Sequence, residues 1–206
     1  ADEPEALEKR GPLTGAVIAA ILVILGGLTW WNARQADPDQ AVVGFSPRRL
    51  TSESGLEMDP AVSPDGRVVV YSAEQSDGDF RLKLRELQGT SPPRVLDTGE
   101  GQAFEPTWSA DGESIYYHQL PSDGIWQVPV DGGTPRLVVE QGSRPALSRD
   151  GRRLVFQTGS SPLYSDTTVT AFAPSVIAIL DLEEGTERQV TQPNQPDGGH
   201  GDPLFS

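Results

Sequence analysis

Three aspartates occupy matching positions along the chain and are the first candidates for chemistry. Asp65, Asp111 and Asp150 each follow a serine by two residues and precede a glycine. Carboxylates gathered in one place could hold a metal ion or transfer protons. Asp-Gly is equally a common sequence for a tight hairpin turn, where φ is positive. Because strand-like runs follow all three pairs, we interpret these residues as structural turns: Asp65, Gly66, Asp111, Gly112, Asp150 and Gly151.

A second group of candidates lies near the end of the chain. The stretch "PDGGHGD" at residues 196–202 gathers Asp197, His200 and Asp202 among glycines. Two carboxylates and an imidazole could bind a cation. A connection between strands that is rich in turn-forming residues explains the same stretch without a metal ion.

The remaining candidates are aromatic residues and one histidine. Residues 158–174 form an insertion in the third repeat unit, and Tyr164 and Phe172 within it could anchor a binding surface. A loop without a binding role is the simpler explanation of the insertion. His118 aligns with Ser72 and Gln157 at the end of a strand, which predicts a residue that packs between blades or lies at their rim.

The composition restricts the classes of function. The 206 residues include 30 acids against 16 Lys and Arg, for a formal charge of −14, which argues against nucleic acid as a partner. The chain has no cysteine, which excludes disulfides and thiolate metal sites. We find no Ser–His–Asp or Cys–His pattern, no Gly-x-Ser-x-Gly and no phosphate loop or zinc spacing. The sequence therefore predicts no catalytic residue, cofactor or metal centre.

An internal repeat organises most of the chain. Each unit has a proline, any residue, a large apolar residue and a serine, and in three units Asp-Gly follows after one more residue. The serines are Ser63, Ser109, Ser148 and Ser206, and the prolines three residues earlier are Pro60, Pro106, Pro145 and Pro203. We expect the proline to begin a strand, the apolar residue to point between units, and the serine hydroxyl to bond back to the turn.

Extended segments follow each Asp-Gly pair. The first are "VVVYS" (68–72), "SIYYH" (114–118) and "RLVFQ" (153–157), and the second are "FRLKLREL" (80–87), "GIWQVPVD" (124–131) and "SVIAILDL" (175–182). β-Branched and aromatic residues favour strands. Four strands per unit, with this repeat length, predict an all-β fold: an incomplete β-propeller. The predicted blades are about residues 52–96, 98–139 and 140–191, with the start of a fourth at 200–206.

The phrase Pro-x-Trp-Ser-x-Asp-Gly, then "IYY" and "IWQVPVDGGTPRLV", resembles the propeller repeat of TolB-type proteins. The resemblance covers residues 47–206 and implies a propeller of six or seven blades when complete. "PRRLTSE" (47–53) resembles an outer strand that could close such a ring.

The ending "GDPLFS" resembles the opening of a fourth unit, so we expect the sequence to be part of a longer protein. Three blades alone would leave apolar faces exposed, so we predict marginal stability or aggregation for this piece.

The N-terminal region predicts one membrane-spanning helix. The 19 residues from Leu13 to Trp31 carry no charge, and as a helix they would extend about 28 Å, enough for the hydrocarbon core of a bilayer. No small-residue cleavage site follows, which favours an uncleaved anchor over a signal peptide. Residues 1–12 would form a cytoplasmic stub, residues 32–46 a polar linker and residues 47–206 the propeller.

Charge and small residues suggest how this helix is oriented and associates. Lys9 and Arg10 precede the span and Arg34 follows it, which places the N-terminus in the cytoplasm by one charge. The propeller would then be extracytoplasmic, in the periplasm if the membrane is a bacterial inner membrane. Small residues four apart, Gly15 with Ala19 and Ala16 with Ala20, could support a homodimer. A high frequency of small residues in membrane helices explains them equally.

These observations predict a non-enzymatic binding or sensing domain. Propellers of the TolB type after one span are similar to the sensor halves of CadC-like regulators, which implies a winged-helix or a Ser/Thr kinase domain upstream, and a protein or an envelope ligand as partner. One alternative is the propeller of a membrane-anchored prolyl-oligopeptidase-type serine peptidase, with the hydrolase domain downstream. Another is a TolB-type scaffold of envelope complexes, which the uncleaved anchor disfavours.

Overall fold

The computed structural model describes residues 24–27, 47–159, 175–192 and 203–205. It divides the chain into two units, Ala1–Arg49 and Leu50–Ser206. In the first unit residues 24–27 are helical. Among the described residues, no helix is long and apolar enough to cross a membrane. Apart from residues 24–27, the predicted span at 13–31 lies outside the described residues, as do the stub at 1–12 and the linker at 32–46.

The second unit contains three four-stranded antiparallel sheets. The first sheet is formed by β1 (Glu57–Val62), β2 (Val68–Glu74), β3 (Phe80–Glu86) and β4 (Arg94–Val95). The second is formed by β5 (Gln102–Trp108), β6 (Ser114–Leu120), β7 (Gly124–Pro129) and β8 (Arg136–Val139). The third is formed by β9 (Ser143–Leu147), β10 (Arg153–Thr158), β11 (Val176–Asp181) and β12 (Glu187–Gln189). The all-β prediction with four strands per unit is confirmed for these residues.

Each sheet is a meander in which neighbours along the chain pair with one another. The second strand of each sheet is buried on both faces, which explains its nearly continuous apolar and β-branched sequence. The first strands β1, β5 and β9 contact one another in order, whereas among the described strands the outer strands β4, β8 and β12 contact only their own sheet. The sheets therefore converge at their first strands, which we call the inner strands.

Two apolar cores lie between successive sheets. Val70 and Leu82 of the first sheet pack with Ile115 and Tyr117 of the second. A second core joins the second and third sheets through residues that include Ile125 and Phe156. Each sheet is thus stabilised by its neighbour, and burial of large side chains such as these contributes about 1.5–3 kcal/mol each.

The large apolar residue before each serine was expected to point between units. Trp108 does so: it is 8% exposed, belongs to the core between the first two sheets, and its indole N–H donates to the Ala61 carbonyl at 3.0 Å. Leu147 packs against the core between the second and third sheets. Val62 does not meet the expectation, because its side chain is 56% exposed in the first sheet.

The repeated proline does not begin a strand, contrary to the sequence prediction. Pro60 is the fourth residue of β1, Pro106 the fifth of β5 and Pro145 the third of β9. Each lies at a β-bulge, where two residues of the inner strand oppose one residue of the next strand. The pairing is interrupted there, so the missing N–H of proline leaves no ladder bond unmade.

Residues 47–53, which resemble an outer strand, do not form a strand. In the second unit, Glu53 forms an ion pair with Lys83 of β3, and the Thr51 hydroxyl donates to Glu57 of β1. Within this unit, side-chain contacts and not a backbone ladder attach Thr51 and Glu53 to the first sheet.

Candidate functional site at the inner strands

The three aspartates of the repeat lie in separate hairpin turns. In the first turn the Ser63 hydroxyl donates to Asp65 at 2.6 Å and accepts from the Val68 N–H at 2.9 Å, while the Asp65 carboxylate accepts from the Arg67 N–H at 3.0 Å. The same bonds recur around Ser109 with Asp111 and around Ser148 with Asp150. Each aspartate therefore forms these hydrogen bonds within its own turn.

The hydrogen bonds in these turns also set the charge of the aspartates. The bond from the Ser109 hydroxyl, followed by that from the Glu113 N–H, lowers the pKa of the Asp111 carboxyl. The corresponding serine bonds lower the pKa of Asp65 and of Asp150. Ionised carboxylates with these partners act as acceptors within the turn.

Only the glycine of each Asp-Gly pair has a positive φ. Gly66, Gly112 and Gly151 have φ values of 71°, 75° and 72°, and none of the three aspartates is in the left-handed region. The prediction of a positive φ for both residues of the pair is therefore wrong for the aspartate. Aspartate is needed for its carboxylate, which bonds the N–H two residues later.

A different set of residues, directly before the repeated prolines, lies in the left-handed region. Asp59, Glu105 and Arg144 have φ values of 53°, 52° and 53°. A residue before proline normally adopts an extended conformation, and positive φ is costly for a side chain with a Cβ. Such strain costs about 1–3 kcal/mol per residue and is concentrated at functional sites in proteins. Three equivalent instances at the bulges of consecutive inner strands therefore indicate a site.

These residues line one cleft of about 430 Å³. Its walls include Asp59 with Pro60, Glu105 with Pro106, and Arg144 with Pro145; Leu204 also lines it. We call this the inner-strand cleft. Its volume is that of a small-ligand site, and three charged side chains give it the means to orient a polar ligand.

Hydrogen bonds from one bulge to the next connect the sheets. The Asp59 carboxylate accepts from the Glu105 N–H at 3.3 Å, and the Glu105 carboxylate accepts from the Arg144 N–H at 2.6 Å. The Arg144 Nε also lies 3.8 Å from Glu105 Oε1. An acid in one sheet thus bonds the strained backbone of the next, whereas the third position carries arginine, which can only donate.

His118 lies beneath the second bulge. Its side chain is fully buried, its Nε2 is 2.9 Å from Asp123 Oδ1, and its Nδ1 is 3.9 Å from Glu105 Oε2. Asp123 is half-exposed and has a φ of 55° in the turn between β6 and β7. The imidazole therefore lies between a surface carboxylate and a buried one.

The environment of Glu105 opposes its ionised form. Its side chain is 10% exposed. Burial raises the pKa of the Glu105 carboxyl, and the hydrogen bond from the Arg144 N–H and the charges of His118 and Arg144 offset this only in part. Asp59 adds to the rise by repulsion. Glu105 is thus a carboxyl group that takes up a proton more readily than an exposed one.

Of the residues singled out from the sequence, the structure describes the Asp-Gly pairs and His118, which lie in three separate turns and in β6. His118 is a buried residue inside β6, which continues to Leu120, so the predicted strand end at His118 is wrong by two residues. Asp197, His200, Asp202, Tyr164 and Phe172 lie outside the described residues. Within the described ranges, no three His, Cys, Asp or Glu side chains are grouped so that they could hold a metal ion.

Sequence reasoning missed Asp59, Glu105 and Arg144. Their signal is positional, since each directly precedes the repeated proline, while their residue types differ in charge. Asp202 occupies the same position before Pro203 in the sequence.

Similarity to known proteins is found among solved structures. No protein-family model matches the sequence. No curated protein matches it either. Among solved structures, a protein described as TolB from Agrobacterium tumefaciens is similar with a TM-score of 0.61 and 22% identity, over 71% of this chain and 52% of that one. TolB from Acinetobacter baumannii is similar with a TM-score of 0.52 and 22% identity, over 69% and 34%.

The fold is a TolB-like β-propeller. At lower identity, an acylaminoacyl peptidase from Pyrococcus horikoshii is similar with a TM-score of 0.50 and 15% identity, over 68% of this chain and 25% of that one. The chain spans about half the length of the Agrobacterium TolB structure and less of the other two. At these identities the similarity concerns the fold alone.

Proposed function

We propose that this TolB-like propeller is a binding or sensor domain that takes a protein segment or an envelope ligand at the inner-strand cleft. The observation that carries the proposal is the row of three charged residues, Asp59, Glu105 and Arg144, in left-handed conformation at one cleft. Backbone strain is concentrated at functional sites in proteins, and a polar concave surface is the usual setting of a binding site.

The arrangement of charge supports recognition of a polar partner. Asp59 and Glu105 supply acceptors and Arg144 supplies donors along one wall of the cleft. The neighbouring backbone is already fixed by the bonds between bulges, so binding there would cost little further ordering. The cleft is therefore suited to orient a partner by hydrogen bonds and charge.

The membrane context of the proposal comes from the sequence. The apolar residues 13–31 would anchor the propeller on the extracytoplasmic side, as part of a one-span signalling protein with a winged-helix or kinase domain elsewhere in the gene product. Because the chain has no cysteine, the orientation of the propeller can be tested with a single introduced thiol. Thr134→Cys, in an exposed turn, should react with a membrane-impermeant maleimide added to intact spheroplasts. Labelling only after lysis would contradict the orientation.

Partner binding can be tested by photo-crosslinking in cells. A photoreactive phenylalanine analogue at Leu204, which lines the cleft and is 85% exposed, should give a discrete adduct of the full gene product. The matched control is the same analogue at Leu137, 42% exposed on the outer strand β8. The adduct should be absent from the control and should be lost from the Leu204 probe when Asp59→Lys reverses a charge in the cleft. No adduct specific to Leu204 would overturn the proposal.

A second candidate, the propeller of a membrane-anchored serine peptidase, is favoured by the similarity to an acylaminoacyl peptidase. In that case the cleft would contribute to the function of a hydrolase domain located elsewhere in the gene product. A fluorophosphonate probe, which labels activated serines, should label the full gene product if this candidate is correct. The binding and sensing proposal predicts no such labelling.

A further inference from the structure

One buried carboxyl group joins the second sheet to the third at the inner-strand cleft. The Glu105 Oε2 accepts the Arg144 N–H at 2.6 Å, and Oε1 lies 3.8 Å from the Arg144 Nε. The bonded amide belongs to a strained bulge. Glu105 therefore contacts both the backbone N–H and the charged side chain of Arg144, the residue that the third sheet contributes to the cleft.

Among the described residues, charged or titratable groups from three neighbouring strands face Glu105. Asp59 of β1 accepts the Glu105 N–H, Arg144 lies on β9, and His118 of β6 approaches at 3.9 Å while its other nitrogen contacts Asp123. Three carboxylates thus surround one guanidinium and one imidazole. A buried carboxyl group with other acids nearby is the member of such a set whose ionised form is most disfavoured.

We propose that Glu105 is a proton-sensitive latch between the second and third sheets, and that its protonation loosens the inner-strand cleft. This rests on the proposed binding role of the cleft, whose regulation it describes. The ionised carboxylate makes a charge-assisted bond to the Arg144 N–H, which is about twice as strong as a neutral one. A neutral carboxyl group keeps only the weaker bond and no longer offsets the Arg144 charge, so ligand contacts in the cleft change.

His118 supplies the opposite outcome, which makes the proposal testable. A proton on the imidazole would place a cation between Asp123 and Glu105, which would hold Glu105 ionised and tighten the latch. A proton on Glu105 loosens it. Acid therefore either weakens or strengthens the protection of the Arg144 amide, according to which group takes the proton.

Hydrogen exchange of the full chain measures this directly. Exchange of peptides covering residues 142–147 would be followed by mass spectrometry at about pH 7.5 and about pH 4.5, where a carboxyl group with a raised pKa is mostly protonated, with intrinsic rates corrected. For the wild-type protein we expect exchange to be about fivefold faster at the lower pH, from the loss of the charge-assisted component. Glu105→Gln, which keeps an acceptor without a charge, should exchange at the faster rate at both pH values. Glu113→Gln, a matched change in the exposed turn between β5 and β6, should retain the response.

Three outcomes would overturn the latch: slower exchange at the lower pH, an unchanged rate, or a pH response retained by Glu105→Gln. If Glu105→Gln does not fold, the sign of the wild-type response still decides. The exchange measurement needs no partner, so its result is independent of the crosslinking test. A passed exchange test with no adduct at Leu204 would remove the binding proposal and leave the latch intact.

Discussion

The indole N–H of Trp108 donates to the carbonyl of Ala61, 3.0 Å away, and joins the second sheet to the first. Ala61 directly follows Pro60 of the first bulge, so this bond fixes the inner strand next to the cleft. The Trp108 ring also contributes to the core between the two sheets. One side chain thus links the packing of the sheets to the position of the site.

Removing this hydrogen bond should destabilise the propeller measurably. Trp108→Phe keeps an aromatic ring but leaves the Ala61 carbonyl without its donor, so we expect a loss of about 1–2 kcal/mol in the free energy of unfolding. The measurement is urea unfolding followed by circular dichroism. Trp126→Phe is the matched control, because Trp126 is partly exposed and its indole N–H bonds the exposed Ser122 hydroxyl at 3.2 Å. Equal losses in the two variants would contradict the role of the Trp108 bond.

The hairpin aspartates should contribute to acid sensitivity. The serine hydroxyl lowers the pKa of Asp111, so the stabilisation it gives is present above its unfolded pKa and is lost as the pH falls through the folded value. Asp111→Asn should therefore lower the melting temperature near neutral pH, and the deficit should shrink below about pH 4. Melting curves at the two pH values check this. A deficit that does not depend on pH would show that the carboxylate charge has no role in the turn.

Two glycines of the repeat separate backbone strain from contact between sheets. Gly151 has a φ of 72°, and a Cβ placed there would lie 3.0 Å from the Ala110 Cβ of the preceding turn. Gly66 has a φ of 71°, with no atom within 4 Å of the same position. Gly66→Ala should cost about 1 kcal/mol from φ alone, and Gly151→Ala should cost more because the second and third sheets must also separate. The free energies of unfolding are measured by chemical denaturation. Equal losses for the two variants would show that the contact between residue 151 and Ala110 adds no cost.

The strand order was predictable because the repeat supplies the same local signals three times. Strands such as Val68–Glu74 read as buried runs of β-branched and aromatic residues, and Gly66 marks the turn before it. The bulges were not predictable from local preference. A residue before proline is expected to be extended, yet Asp59, Glu105 and Arg144 are left-handed because contacts between neighbouring inner strands outweigh that preference.

The site was harder to predict than the fold for a related reason. Its residues share a position and not a residue type, and they meet only after three units have packed side by side. His118 shows the same limit: the sequence predicted that it belongs to a strand, but its approach to Glu105 depends on the bulge next to Glu105. Repeat position relative to proline is the signal that could have found the site.

The two links between bulges should differ in strength. The Glu105–Arg144 bond is 2.6 Å long and its carboxylate is 10% exposed, whereas the Asp59–Glu105 bond is 3.3 Å long. Glu105→Ala leaves a strained amide and the Arg144 guanidinium without this acceptor, and we expect a loss of about 1–3 kcal/mol in the free energy of unfolding. Asp59→Ala should cost less than about 1 kcal/mol because its bond is long and its side chain is partly exposed to water.

Urea unfolding of the two alanine variants, measured side by side near neutral pH, checks the order. Glu105→Gln is a third variant in the series, since its amide oxygen can still accept the Arg144 N–H; it should recover only part of the loss seen with alanine, because the bond is no longer charge-assisted. A glutamine variant as unstable as the alanine variant would show that charge, and not the hydrogen bond, holds the third sheet. A larger loss for Asp59→Ala than for Glu105→Ala would show that the first link dominates, which the two bond lengths and the burial of Glu105 argue against.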